Sequence, residues 1–131
     1  MEREILYRGK TKGNEWKIGS LIMVGDHDSQ FPTILTKKES GIGYVRHDVI
    51  PETVSQYTGL KDKNGNKIFE GDILDWQGYN LIIEWGRTGW VLHSEMFTAG
   101  KCSVYNTIGY IPKSEIIGNK WGNPELLNKQ K

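Results

Sequence analysis

The chain has 131 residues with 17 basic and 16 acidic side chains, so its formal net charge is only +1. This length fits one domain, or two very small ones, that fold without a disulfide or a structural metal. Cys102 is the single cysteine, which excludes an intrachain disulfide framework. The balanced charge also lacks the basic excess that is typical of nucleic-acid-binding proteins.

The composition favours short β-strands joined by tight turns. Ala99 is the single alanine, whereas there are 16 glycines and many isoleucines. Such a chain has few helix formers, many β-branched residues and many turn residues. The opening segment lacks the apolar core of a signal peptide, and no apolar stretch approaches the roughly 20 residues that span a bilayer. We therefore expect a cytoplasmic protein without membrane contact.

The first half predicts an antiparallel β subdomain over residues 1–52. Strands are predicted at 3–10, 15–25, 33–37 and 42–50, where apolar residues alternate with polar ones. The alternation slips near Gly19, which indicates a bulge or a bend. Pro51 has no N–H to donate and should end the pairing of the fourth strand.

The second half, residues 53–131, predicts a small β-barrel. A tight turn at 58–66 precedes strands at 72–77, 79–85, 90–97 and 114–117, with an irregular segment over 98–114. Short strands at such regular spacing favour a five-stranded Src-homology-3-like barrel over about 54–118. A short terminal helix is predicted over 122–129, with Asn123 as its cap and Pro124 at its first position.

The stretch QYTGLKDKNGNKIFEGDIL at 56–74 resembles a calcium loop only in part. The match can begin at Asp62, but Lys67 stands where the loop needs glycine and Ile73 where it needs a bidentate glutamate. Turn geometry explains the stretch better. The Asn64-Gly65 pair predicts a type I′ hairpin turn, and Asp62 can accept bonds from backbone N–H groups in the same turn.

Other chemistry-bearing residues are scattered along the sequence. The Asp-His-Asp run at 26–28 could join His47 and Asp48 in a metal site, but no metal-ligand spacing supports it. A Cys102–His pair is the basis of an enzyme alternative, with His93 nine residues away. A solvated loop and a lone thiol are the better interpretations. We expect no enzyme, no cofactor and no metal.

Aromatic residues are concentrated between positions 76 and 90. Some of them must fill the core of a small barrel, and others can lie at the surface beside basic residues. The candidates for binding at the surface are Trp76, Tyr79, Arg87 and Trp90. Exposed aromatics of this kind serve as anchors in protein interfaces or as stacking platforms for single-stranded nucleic acid.

Three segments carry a resemblance to a known family: LYRGKTKGNEWKIGSLI at 6–22, PETVSQYTGLKDKNGNKIFEGDIL at 51–74 and IIGNKWGNPELL at 116–127. The chain resembles the YopX-like proteins of phages and prophages of Gram-positive bacteria. The resemblance implies an all-β fold with a Src-homology-3-like barrel in the second half. The family has no assigned biochemical function, so it offers no catalytic residues. Segments 26–48 and 86–113 depart from the family pattern.

These observations together predict a phage- or prophage-encoded binding module of the bacterial host cytoplasm. Its expected partner is a protein, either itself in a homo-oligomer or another factor, because small β folds leave edge strands open to pairing. Binding of single-stranded nucleic acid is the alternative. That assignment relies on what small β folds commonly do rather than on an identified site.

Overall fold

The computed structural model describes residues 4–76, 78–86, 89–93, 101–103 and 111–127. Strands that pair antiparallel make up almost all of its regular structure, which confirms the all-β class. The chain divides into two compact units, Met1–Tyr57 and Thr58–Lys131. The sequence predicts a boundary at 52/53. The two compact units instead divide between Tyr57 and Thr58, within the strand Ser55–Lys61.

The first unit is built on four strands, a 3₁₀ turn and the start of a fifth strand. These elements are β1 (Tyr7–Lys10), β2 (Trp16–Gly25), β3 (Gln30–Lys37), β4 (Tyr44–Asp48), the turn Pro51–Thr53 and β5 (Ser55–Lys61). The strand order is β4-β3-β2-β1-β5. β4 ends at Asp48, three residues before Pro51, and the chain enters the 3₁₀ turn at that proline.

The long strand β2 changes partner at its middle. Its first half pairs with β1 from Trp16 to Gly19, and its second half pairs with β3 from Ser20 to Gly25. The slip in the hydrophobic pattern near Gly19 therefore falls where the strand leaves one neighbour and joins the next. Two halves with different neighbours need not share one buried face.

Apolar and hydroxyl side chains together form the buried part of the first unit. Ile34 is fully buried, and Val49 and Tyr57 are nearly so. Thr53 is buried with them, and its hydroxyl donates to the carbonyl of Ile50 at 2.6 Å. The same oxygen accepts the backbone N–H of Lys10 at 2.8 Å, so both hydrogen-bonding functions of the buried hydroxyl are used.

Within the residues that the structure describes, the second unit holds the remaining strands and two 3₁₀ turns. After β5 these are β6 (Lys67–Phe69), β7 (Asp72–Trp76), β8 (Tyr79–Trp85), β9 (Trp90–His93), β10 (Lys101–Ser103), a turn at Ile111–Lys113, β11 (Glu115–Asn119) and a turn at Pro124–Leu127. β6 lies beside β5, and the other five strands form a sheet in the order β10-β9-β8-β7-β11.

An apolar cluster holds the second unit together. Its buried members are Ile68, Leu74, Leu81, Ile83, Leu92 and Ile111. Removing such side chains from water contributes about 1.5–3 kcal/mol each, so the cluster contributes strongly to the stability of the unit. The described strands do not close into a barrel, so the Src-homology-3-like form stays a prediction here.

Strand bounds agree with the sequence best where pairing is local. β8 covers 79–85 as predicted, and it pairs with neighbours on both sides in the meander β7–β8–β9. The tight turn predicted over 58–66 is wrong in its first part, because β5 continues to Lys61. The turn itself occupies only 62–66 and joins β5 to β6.

The turn between β5 and β6 is organised by one buried carboxylate. Asp62 is 5% exposed, and its Oδ1 accepts the backbone N–H groups of Asn64 and Asn66, both at 2.9 Å. Its Oδ2 accepts the N–H of Ile116 in β11 at 3.0 Å. Burial raises the pKa of this carboxyl, but the backbone donors lower it by more, so the net pKa lies below its usual value.

The type I′ turn predicted at Asn64-Gly65 is wrong. Gly65 has φ +80°, but among the described residues the single non-glycine with positive φ is Asn14, so Asn64 does not meet the type I′ requirement. The N–H of Gly65 instead donates to the carbonyl of Asp62 at 3.0 Å. A type I turn followed by a left-handed glycine fits these facts, and the two bonds to the Asp62 side chain favour it.

A second turn, at Gly71, lies directly against the indole ring of Trp121. Gly71 has φ +88°, and a Cβ placed there would lie 2.7 Å from two ring carbons of Trp121. The N–H of Gly71 donates to the carbonyl of Ile83 at 2.8 Å, and its carbonyl accepts the N–H of Lys120 at 2.9 Å. The position therefore needs glycine both for its backbone angle and for the room that the ring occupies.

The short terminal helix predicted over 122–129 is wrong for the residues described there. The chain forms a 3₁₀ turn at Pro124–Leu127. Oδ1 of Asn123 accepts the backbone N–H of Asn119, which precedes the turn in the sequence, at 3.3 Å. The side-chain amide of Asn80 donates to the carbonyl of Leu126 at 2.8 Å, so a strand of the sheet takes up a carbonyl of the turn. In the described part of the chain, no helix has the length and apolar character required to cross a membrane.

Candidate functional site

The aromatic residues predicted as surface contributors lie at the margin of the second unit's core. Trp76, Tyr79 and Trp90 are half-buried and pack against the apolar cluster. The rings of Trp76 and Tyr79 are stacked, with their centroids 6.4 Å apart. Arg87 lies outside the described residues. The three aromatics therefore contribute to packing as well as to the surface.

Among the aromatic residues of the second unit that the structure describes, Trp85 is the most exposed. It is 61% exposed, and its ring lies edge-on to that of Trp90 with centroids 4.8 Å apart. The two residues are directly opposite each other on β8 and β9. The sequence predicts Trp85 at the end of the strand 79–85, but the residues predicted as surface contributors do not include it. The short turn between two tryptophans was the signal, because residues that flank a hairpin turn lie at the end of the sheet.

Three of the residues weighed as metal ligands make other hydrogen bonds: Asp26, His47 and Asp48, whose Oδ1 accepts the hydroxyl of Thr33 at 3.4 Å. Asp26 Oδ1 accepts the backbone N–H groups of Asp28 and Ser29, which closes the turn between β2 and β3. His47 Nε2 lies 2.9 Å from the hydroxyl oxygen of Thr36. Within the residues described, no three His, Cys, Asp or Glu side chains are grouped so that they could hold a metal ion. The backbone of Cys102 pairs with Leu92 in β10, opposite β9.

The first unit presents an edge strand to solvent. β4 is the last strand of its sheet among the described residues, and four of its five residues are exposed. Tyr44 is 56% exposed, and Val45 beside it is also exposed. An edge of this kind offers unpaired backbone groups to another strand.

The direction of the backbone groups in β4 follows from two hydrogen bonds at its ends. The N–H of Val49 donates to the carbonyl of Pro32 at 3.3 Å, and the carbonyl of Gly43 accepts the N–H of Lys38 at 3.1 Å. Because backbone groups alternate in direction along an antiparallel strand, the odd-numbered residues of 43–49 face β3. The residues whose N–H and C=O groups face outward are Tyr44, Arg46 and Asp48.

A groove lies at the end of the same strand. It has a volume of about 700 Å³ and is lined by residues 11–13 of the β1–β2 turn, Phe31, and residues 47–51. Phe31, Val49 and Ile50 give it an apolar wall, while Lys12 and Asp48 bring opposite charges to its lining. Every lining residue belongs to the first unit.

The edge and the groove together form a surface that can bind an extended chain. The edge supplies backbone donors and acceptors, and the groove supplies room for a side chain beside them. The sequence predicts a strand at 42–50 but does not predict that it lies at the edge of a sheet. Charged residues at alternate positions of a short strand, as in Arg46 and Asp48, are typical of sheet edges and were the available signal.

A family model described as YopX protein matches residues 3–128, which is nearly the whole chain. The chain belongs to the YopX family. This confirms the resemblance carried by the segments at 6–22, 51–74 and 116–127.

A solved structure supports the fold of this YopX-family chain. This chain is similar to the crystal structure of protein EF1440 from Enterococcus faecalis, with 23% sequence identity and a TM-score of 0.54. The match covers 96% of this chain and 99% of that one. No curated protein matches the YopX-family chain significantly.

Proposed function

We propose that the chain is a phage- or prophage-encoded protein-binding module of the host cytoplasm, and that it binds through β4 and the adjoining groove. The observation that carries this proposal is the exposed edge of β4, where Tyr44, Arg46 and Asp48 direct their backbone groups outward beside an apolar-walled groove. Binding rather than catalysis is the role of such a surface.

The mode of binding is the addition of a strand to the sheet. An extended segment of the partner pairs with the outward groups of β4, and main-chain hydrogen bonds supply the affinity. Alternate side chains of that segment face one side of the sheet, where the groove provides the specificity. Tyr44 is exposed beside this path and gives the partner an aromatic contact.

Photo-crosslinking tests this proposal. A benzophenone amino acid replaces Tyr44 in one variant and Trp85 in a matched control, since both positions carry exposed aromatic residues. Irradiation of host cells that produce each variant is expected to give protein adducts at position 44, resolved by electrophoresis and identified by mass spectrometry. Adducts at position 85 alone, or none at either position, would contradict binding through β4.

We also propose the Src-homology-3-like form for the second unit. In its support, β7, β8 and β9 form a short meander, and β11 pairs with β7. The turn between β5 and β6 is joined to β11 by the Asp62–Ile116 bond. Small barrels of this kind act mainly through loops and edges, which agrees with a binding role.

Single-stranded nucleic acid is a second candidate partner, and the observation that favours it is Trp85. An exposed indole beside the ring of Trp90 can stack a base. Under this alternative, replacing Trp85 with alanine weakens the binding of a labelled oligothymidine at least about fivefold, measured by fluorescence anisotropy.

Two controls make that titration decisive. Ile117→Ala removes another exposed apolar side chain of the second unit and should leave nucleic-acid affinity unchanged. Binding to phosphates weakens as salt rises, so the titration is repeated at high salt. If the wild-type chain shows no binding at low salt, the nucleic-acid alternative is excluded.

A further inference from the structure

We propose that the occupant of the β4 edge is the β4 edge of a second copy, paired antiparallel about a two-fold axis at His47. This inference rests on the proposed function and names its partner. A two-fold axis uses the same strand on both copies, so each contact occurs twice. The paired strands would join two first units into one continuous sheet.

The outward backbone groups limit the possible registers. Hydrogen-bonded pairs must form between outward-facing residues, which are Tyr44, Arg46 and Asp48. An axis at Arg46 places that residue opposite its own copy, and like charges directly opposite are destabilising. An axis at Val45 places Tyr44 opposite Arg46 and leaves Asp48 without a cation. An axis at His47 places Arg46 opposite Asp48 of the second copy.

Charge complementarity selects the axis at His47. Arg46 and Asp48 are two positions apart, so their side chains lie on one face of β4. Both are exposed, and each meets the opposite charge in this register. The Arg46–Asp48 pair also exchanges both of its backbone hydrogen bonds, because it is a hydrogen-bonded pair of the new ladder.

The same register involves the groove. It places Tyr44 of the second copy opposite Ile50, which lines the groove. The N–H of Ile50 already donates to the carbonyl of Lys10 at 2.8 Å, and its carbonyl accepts from Thr53, so this contact is made by side chains alone. Tyr44 is 56% exposed in the single chain, so its burial against Ile50 would remove apolar surface from water on both copies. The short length of β4 predicts a small interface and a weak, concentration-dependent dimer.

Charge reversal tests the ion pairs. Sedimentation equilibrium over a wide range of protein concentrations gives the dimerisation constant of the wild type, Arg46→Asp, Asp48→Arg and the double variant. Each single reversal puts like charges opposite each other and should weaken the dimer about tenfold. The double variant restores both pairs and should recover wild-type affinity. Both residues are exposed, but Asp48→Arg also removes the 3.4 Å bond that Oδ1 of Asp48 accepts from the buried hydroxyl of Thr33, so circular dichroism must first show that each variant keeps the fold.

Single-cysteine crosslinking tests the register. In a Cys102→Ser background, Val45→Cys, Arg46→Cys and His47→Cys are oxidised separately. An axis at His47 brings the two copies of position 47 opposite each other, within the Cα separation that a disulfide needs, so His47→Cys should give covalent dimer fastest. Fastest crosslinking at 45 or 46 would overturn this register, and a monomer at all concentrations would overturn the dimer. Adducts of position 44 with a different protein would still support the binding module.

Discussion

Replacing Asp62 with alanine is expected to lower the free energy of unfolding of the second unit by about 3–5 kcal/mol. The carboxylate accepts three backbone N–H groups, from Asn64, Asn66 and Ile116. Hydrogen bonds to a charged group are worth about 1.5–3 kcal/mol each, and partial access of water to the turn reduces the sum. The variant also loses the link between the β5–β6 turn and β11.

Chemical denaturation followed by tryptophan fluorescence measures this loss. Trp16 is the only tryptophan of the five that lies in the first unit, so the signal reports mainly on the second. Asp75→Ala is the matched control, because Asp75 is half-buried and its Oδ1 accepts the N–H of Gly78 at 3.1 Å. Asp75 also pairs with Glu115, and relief of that repulsion offsets part of its loss. Equal effects of the two substitutions would refute the role assigned to Asp62.

The contribution of Asp62 should also depend on pH. The net pKa of its carboxyl is lowered in the folded chain, because the backbone donors together outweigh the rise due to burial. The folded state therefore binds this proton more weakly than the unfolded state, and protonation favours unfolding. The stabilisation is fully present above the unfolded pKa of about 3.9 and is lost as pH falls through the lower folded pKa. The stability difference between wild type and Asp62→Asn should narrow over that range.

Local pattern predicted the parts of the fold in which neighbours in sequence are neighbours in space. β8 has its predicted bounds because it lies in a meander whose turns and alternation are both visible in the sequence. The sequence predicts a turn over the end of β5 because Gly59 is typical of turns, and Gly59 keeps a positive φ of +87° within the strand. The strand form of β5 depends on pairing with β1, far away in the sequence, and with β6. No window of local sequence contains that information.

The turn at Asn64-Gly65 shows how a side chain can override a dipeptide preference. The pair is the commonest one for a type I′ turn, but Asp62 draws the N–H groups of Asn64 and Asn66 onto one oxygen. The predicted contact between Asp62 and the turn is confirmed, while the turn type is wrong. The carboxylate fixes the directions of the backbone N–H groups of Asn64 and Asn66. A type I′ turn, which is the mirror image of type I, would direct these groups differently.

The candidate site was harder to predict than the fold because exposure depends on strand order. The alternation of apolar and polar residues predicts that β4 is a strand. Its position at the edge of the sheet follows from the strand order β4-β3-β2-β1. Among the aromatics, Trp85 is exposed while Trp76 and Trp90 pack against the core. A sequence gives hydrophobicity at each position, whereas burial depends on which other strand covers that position.

Several residues of the stretch 56–74, which carries part of the family resemblance, have structural roles. Asp62 joins a turn to β11, Gly71 makes room for Trp121, and Oδ2 of the buried Asp72 accepts the N–H of Phe69 at 2.7 Å. Such residues mark the fold of the second unit. The proposed binding surface lies instead in the first unit, along β4 and the groove that residues 11–13, Phe31 and residues 47–51 line.

Replacing Gly71 with alanine is expected to destabilise the second unit by about 2–4 kcal/mol, through backbone strain and a clash with the indole of Trp121. Gly65→Ala is the matched control, since Gly65 has φ +80° and no heavy atom lies within 4 Å of the position that its Cβ would take. It should cost only the left-handed strain of about 1–2 kcal/mol. A double-mutant cycle isolates the clash. In a Trp121→Ala background the cost of Gly71→Ala should fall to that of Gly65→Ala, whereas an unchanged cost would show that the ring does not fill the space beside Gly71.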